Sequence, residues 1–312
     1  MRIGIFISET SAERTTIDDL LERAAWAEAN GFATGWVPHI PWSLDALTAL
    51  TLAGRTTTRI ELGTAVVPTY PRHPLALAQQ ALSTQAACGG RLALGIGPSH
   101  PVVIERMFGL RYDRPASHTR EYLQVLGAAM NGGGQVTFHG EHFDVDALLD
   151  VPGGGPMPVL VAALAPLMLR LAGELSAGTI TWMADERAVA EHVVPRIHQA
   201  AREAGRHEPR VVAGLPIAVC DDPDAARARA AQVFSVYEHI PAYRRMLDRG
   251  EAEGPADVAV VGDEATVAAR LRSYASAGVT DLAATVFPVG DDSEGSRRRT
   301  RELLASLAPD LA

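Results

Sequence analysis

Short apolar runs and amphipathic stretches alternate along this 312-residue chain from its first residue. That alternation, more than any single motif, limits how the chain can fold. A run such as IGIFI is too short for a buried helix and rich in β-branched residues, so it predicts a strand covered on both faces. Strands are predicted at 2–8, 33–37, 60–67, 92–96, 158–163, 179–183, 210–219 and 281–286. Helices are predicted at 15–30, 44–53, 73–87, near 118–130, at 167–175, 185–204, 223–249 and 267–277, with a closing helix at 297–307. Asn30-Gly31 and Gly278 are C-terminal stop signals for two of them. Eight strands strictly alternating with helices are the pattern of an α/β chain folded as one (β/α)8 TIM barrel domain over 1–312. The rival is an open doubly wound sheet. The turn after the first strand reads SETSAER and lacks the G-x-G-x-x-G of a dinucleotide-binding sheet.

The rhythm breaks twice, giving insertions after strand four and in the strand-seven region. Residues 97–157 hold a Pro-rich loop, a helix and QVTFHGEHFDV, which alternates around Gly140 as a small hairpin would. Excursions of this kind in a barrel usually cover the face that carries the chemistry.

Composition then removes whole classes of function. All 28 basic residues are arginine. Without lysine there is no Schiff-base chemistry and no P-loop or kinase-type lysine for phosphoryl transfer. Any anion must be held by Arg, by backbone N–H groups or by a helix N-terminus. A formal net charge of −9 argues against nucleic acid as a partner. The two cysteines, Cys88 and Cys220, are far apart and give neither metal spacing nor a disulfide framework, which suits a reducing cytoplasm. The N-terminus turns polar too soon for a signal peptide, and no apolar run approaches the roughly 20 residues of a membrane span. No H-E-x-x-H, C-x-x-C or G-x-S-x-G is present, so no metal site is expected.

A barrel builds its site at the C-terminal ends of its strands. That rule shortens the list of candidates to Ser8 and Glu9 after strand one, His39 and Trp42 after strand two, and AVVPTYPRHP after strand three. Gly97, Pro98 and Ser99 follow strand four, Leu164, Ala165 and Pro166 strand five, and Thr181 and Trp182 lie at strand six. His39 stands one step beyond a buried strand between prolines. It fits two roles: a proton-transfer group near pH 7, or a loop histidine bonded to backbone. Trp42 and Trp182 can wall a planar ring, or serve as loop packing and core. Gly95 and Gly97 allow a ligand close to the backbone. Leu164-Ala165-Pro166 leads into a helix whose first N–H groups can take a phosphate. Glu105 and Glu121 are further carboxylates, the latter placed in a helix beside basic neighbours.

In this order, GTAVVPTYPRHPLALAQQALS, GGRLALGIGPSH, RPASHTREYLQVL, VLVAALAPLMLRLAGELSAGTITWM and VGDEATVAARLRSYASAGVTDL span nearly the whole chain. Together they resemble the luciferase-like monooxygenase superfamily, and within it the deazaflavin (coenzyme F-420) dependent oxidoreductases. The resemblance implies a barrel with a deazaflavin, or alternatively FMN, across the strand ends. It implies a non-prolyl cis peptide at Ala65-Val66 backing the ring and strand-four contacts from Gly97 and Pro98. It also implies a phosphate loop at Leu164, Ala165 and Pro166, a strand-six contact from Thr181, and His39 near the reactive carbon. Glu9, Trp42 and Ser99 then fall to the substrate pocket. The implied activity is hydride transfer between reduced F-420 and a small molecule with a C=C or C=N bond. An FMN-dependent monooxygenase and a non-catalytic cofactor-binding barrel are the alternatives. Members are often homodimers.

The chain departs from the superfamily's sugar-phosphate dehydrogenases. Pro38 stands where they carry Asp before the histidine, the place of their Glu after strand four falls near Ser99, and their substrate-phosphate lysine is missing. Glucose-6-phosphate oxidation is therefore not expected. A lysine-free, alanine-heavy composition is also the codon usage of a high-GC genome, which fits actinobacteria.

Overall fold

The computed structural model describes residues 1–8, 14–130 and 134–311. Eight parallel strands close into a barrel: β1 (Arg2–Phe6), β2 (Thr34–Val37), β3 (Glu61–Thr64), β4 (Leu92–Gly97), β5 (Val159–Ala162), β6 (Gly178–Trp182), β7 (Arg210–Val219) and β8 (Asp281–Val286). Each pairs with the next in chain order, and β8 returns to β1 with Arg2 beside Asp281. All eight predicted strands are present. Their outward residues pack under the helices in one large core, while Trp36, Leu160, Ile180, Val212 and Ala283 form a separate cluster in the lumen. Trp36 fills the lumen because its neighbours have no side chains: a Cβ on Gly63 would lie 2.3 Å from its ring, and one on Gly4 2.6 Å from Nε1.

The helices start where side chains cap them. Thr16, Asp45, His73, Asp222 and Asp263 each accept a backbone N–H at the start of Ile17–Ala29, Ala46–Thr56, Pro74–Ala87, Pro223–Val233 and Glu264–Ser276. Two predicted helices are interrupted at proline. In 185–204 the hydrogen-bond register slips into a π-helical stretch, Val189–Val193, just before Pro195, which has no N–H to donate. In 223–249 the chain breaks at Phe234 and again before Pro241, giving Pro223–Val233, the 3-10 turn Ser235–His239 and Pro241–Leu247. The predicted 60–67 strand is likewise two pieces, β3 and a two-residue bridge Val67–Pro68 that pairs with the end of β4. A short strand absent from the sequence reading, Val260–Gly262, extends the sheet beside β7.

The hairpin of the first insertion spans Gly134–His139 and Asp144–Leu149. Glu121 was expected to pair with a basic neighbour. It instead accepts the N–H groups of Glu141, His142 and Phe143 and pins the hairpin turn to the Pro115–Met130 helix. Three N–H donors at one carboxylate are available only once the turn folds against the helix, which sequence proximity does not show. No described helix is long and apolar enough to cross a membrane.

Candidate functional site

The C-terminal mouth gathers polar atoms that find no partner. Ser8 beyond β1, Thr69 beyond the Val67–Pro68 bridge and Thr285 near the end of β8 are buried, and their hydroxyls make no hydrogen bond among the described residues. A buried hydroxyl without a partner costs about 1–3 kcal/mol, so a cluster at one end of a barrel marks where a ligand would satisfy them. Ser99 and Met183, beyond β4 and β6, sit at φ 63° and 54°, in the left-handed region that non-glycine residues seldom adopt. Glu9 lies outside the described residues.

His39 follows β2 and is mostly buried. Its Nδ1 accepts the N–H of Ala46 at 3.4 Å and lies 3.8 Å from Asp45 Oδ2. The backbone bond therefore coexists with a free ring nitrogen: a neutral imidazole that accepts at Nδ1 carries its proton on Nε2. Burial lowers the His39 pKa below its ordinary value; Asp45 opposes the shift and Arg72 adds to it. Asp45 is itself held by Thr48, Gln80 and Arg72, so the ring rests on an ordered base.

The peptide bond between Ala65 and Val66 is cis, where the resemblance places one. Thr64 braces the bulge from below, donating to Gly95 O at 2.7 Å and accepting Gly95 N–H at 2.8 Å. The Val66 side chain then lies across β4. A Cβ on Gly95 would sit 3.1 Å from Val66 Cγ1, and one on Gly97 would sit 3.0 Å from Val66 Cγ2 and 2.8 Å from Ala162 Cβ. These glycines are thus required for the bulge to enter the mouth. Pro98 and Ser99 continue the same rim, half-buried.

Ala165 opens the Pro166–Leu175 helix without a side-chain cap. Pro166 has no N–H, so the unbonded donors of the first turn belong to Leu167 and Met168. Leu164 turns its carbonyl away to accept His192 Nε2–H at 2.7 Å, leaving the buried Nδ1 of that ring unpartnered.

Thr181 and Trp42, two further expected contacts, make few contacts with the mouth. Thr181 alternates with the lumen residue Ile180 and so faces the helices, its hydroxyl donating to Val212 O at 3.2 Å. The inward neighbour is Trp182, whose ring lies against Gly214. Trp42 is 66 % exposed on the rim and walls nothing among the described residues. Sequence reasoning passed over His100, Phe234, Tyr237 and Tyr243, which meet above Trp182. His100 closes the GIGPSH segment and was open to notice; the aromatic residues lay in a stretch read as plain helix. No group of three potential metal ligands occurs among the described residues.

Comparison with known proteins agrees with this architecture. A family model described as luciferase-like monooxygenase matches residues 1–281. The chain is 27 % identical to the 5,10-methylenetetrahydromethanopterin reductase of Methanolobus tindarius, covering 90 % of this chain and 85 % of that one. It is 28 % identical to the F-420-dependent glucose-6-phosphate dehydrogenase of Mycolicibacterium fortuitum over 69 % of this chain and 68 % of that one. The solved coenzyme F-420 dependent tetrahydromethanopterin reductase of Methanopyrus kandleri superposes with a TM-score of 0.81 at 24 % identity, covering 100 % of this chain and 99 % of that one.

Proposed function

This chain belongs to the luciferase-like monooxygenase family, and on that premise we propose that it is an oxidoreductase using coenzyme F-420 to transfer a hydride to or from a small molecule with a C=C or C=N bond. The observation that carries the reading is the Val66 side chain lying across Gly95 and Gly97 of β4, at the same end of the barrel as the uncapped Pro166–Leu175 helix. A flat ring finds an apolar backing in Val66, and a phosphate finds N–H donors at Leu167 and Met168 with no side chain competing for them. No lysine is needed. Relatives named for F-420 chemistry support the same cofactor.

The residues present fit that group. Val66, Gly97 and Pro98 would border its ring. The 164–168 turn would take its phosphate. The unpartnered hydroxyls of Ser8, Thr69 and Thr285 supply hydrogen bonds around it. A bound deazaflavin supplies two-electron hydride chemistry at its C5 position. The Nε2–H of neutral His39 would donate a hydrogen bond to the substrate atom on which negative charge develops as the hydride arrives, and the proton that completes the reduction would reach that atom from solvent. The lowered pKa of His39 keeps the ring neutral at pH 7, able to donate without carrying a charge into the mouth.

Fluorescence titration of the purified protein with F-420 and with FMN tests the reading. Micromolar F-420 binding with weak FMN binding is expected. Micromolar FMN binding with none for F-420 would replace the deazaflavin reading by the FMN monooxygenase one.

A further inference from the structure

The strand-seven insertion crosses the mouth. From β6, the ring of Trp182 contacts Phe234 at 6.1 Å and Tyr237 at 5.8 Å. Phe234 contacts Phe287, just beyond β8, at 5.6 Å. Tyr237 contacts Tyr243 at 5.0 Å, and Tyr243 reaches His100 beyond β4 at 5.4 Å. Six rings from the ends of three strands and from the insertion therefore make one continuous aromatic layer. All five contacts are tilted or edge-on, the geometry that aromatic pairs prefer; Phe234 and Phe287 are buried behind, while Trp182, Tyr237, Tyr243 and His100 are only partly covered and can meet a planar guest.

The polar groups of that layer are few: the Trp182 indole N–H, buried and unpartnered among the described residues, the Tyr237 and Tyr243 hydroxyls, and the His100 imidazole, which makes no hydrogen bond among the described residues and lies against the Tyr243 ring. Burial lowers the His100 pKa, so the imidazole is neutral at pH 7 and offers one N–H donor and one acceptor. The tyrosines are neutral too, their pKa values raised by burial. Across the mouth, the cation nearest His39 is Arg72, already committed to Asp45 and Gln80. A largely apolar wall with a few uncharged polar groups is the usual make-up of a pocket for a neutral, largely hydrophobic ligand. A buried anion here would lose its hydration, and the six rings themselves offer no charge to replace it.

We propose that this layer is the substrate-recognition surface, that it takes a neutral, flat, ring-bearing compound whose C=C or C=N bond is conjugated to a carbonyl, and that His100 determines specificity by hydrogen bonding to the carbonyl oxygen. The proposal deepens the hydride-transfer reading of the same mouth, and rests on it for what happens to the bound compound. It also names a class of substrate distinct from the sugar phosphates and pterins of the named relatives.

Calorimetric titration of the full-length protein with 2-acetonaphthone and with 2-naphthoate, in the presence and absence of F-420, tests it. The two probes share a bicyclic ring and differ in charge. The neutral ketone is expected to bind at least tenfold more tightly. His100→Phe should weaken the ketone about tenfold, the loss of one hydrogen bond, while His100→Gln, which keeps a donor, restores most of it. F-420 affinity, followed by fluorescence, should be the same in all three proteins. Equal or tighter binding of the naphthoate overturns the proposal, as does a His100→Phe protein that binds the ketone like the parent. Failure of F-420 to bind, with the ketone preference intact, would overturn the cofactor reading and leave the recognition surface standing.

Discussion

The two mouths of the barrel treat buried polar groups in opposite ways. At the N-terminal mouth Arg2 and Arg210 each bond both Glu61 and Asp281, Thr34 donates to Glu61 at 3.1 Å, and Thr280 donates to Asp281 at 2.6 Å. Every group in that ring has a partner. Burial works against the Asp281 carboxylate, but Arg210, Arg2 and the Thr280 hydroxyl more than offset it and hold its pKa below the usual range. At the C-terminal mouth Ser8, Thr69 and Thr285 are just as buried and have no partner. One end satisfies its polar groups from within the chain; the other leaves hydroxyls that the proposed cofactor would satisfy. On that reading stability is concentrated at one mouth and function at the other.

The sharpest way to break this contrast is to damage the paired end. Arg210→Met leaves Asp281 and Glu61 sharing Arg2 alone, and removing one partner of a buried ionic network costs about 3–5 kcal/mol. The denaturant midpoint should fall accordingly, while F-420 affinity measured well below that midpoint stays within about twofold. A protein that keeps its midpoint but loses the cofactor would reverse the assignment of the two ends. At the open end the expected loss is catalytic. His39→Ala should lower kcat/KM by about 10²–10³-fold, in line with removal of one hydrogen-bond donor to the charge that develops on the substrate, with the unfolding midpoint nearly unchanged. A smaller and opposite effect is expected at Thr285. Replacing it by Val removes an unsatisfied hydroxyl from the buried mouth, so Thr285→Val should stabilise the free protein by about 1 kcal/mol and weaken cofactor binding. Thr34→Val, the same change at the paired end, should instead cost about 1 kcal/mol.

This difference between the ends also explains what could be read from the chain. The eight strands were legible because residues such as Ile3, Ile5, Leu94 and Val161 sit in short apolar runs whose period and length leave little choice. The positions of His39, Gly97 and the 164–166 turn followed from the rule that sites lie at strand ends. The ionic ring was not legible, because Arg2 and Asp281 become neighbours only when β8 closes on β1. Nor was the face of Thr181, since a strand buried on both sides shows no polar-apolar alternation to orient it. The π-helical slip before Pro195 and the break before Pro241 carry a proline signal, but its consequence depends on how each helix is held at both ends. The roof over the mouth was hidden for a related reason: Phe234, Tyr237 and Tyr243 have helix-compatible spacing and meet Trp182 and His100 only through the fold.

The finest test of the open end is its response to pH. His39 has its pKa lowered by burial in the folded protein, so the protonated ring is the disfavoured form there. If kcat/KM requires the neutral ring, activity is held at pH 7 and falls only as pH drops below 6.5, His39's ordinary value, toward its lowered one. Asp45 is the group that opposes the shift. Asp45→Asn keeps a competent helix cap but removes that charge, so the acid limb should move further toward low pH, by up to about one unit for a charge at this distance near the surface. Raising the salt concentration should shrink the displacement, since part of the field crosses solvent. An acid limb that stays in place in Asp45→Asn, yet vanishes in His39→Ala, would keep the histidine as the titrating group and remove Asp45 from its control. A limb that survives His39→Ala would assign the proton to another group at the open mouth.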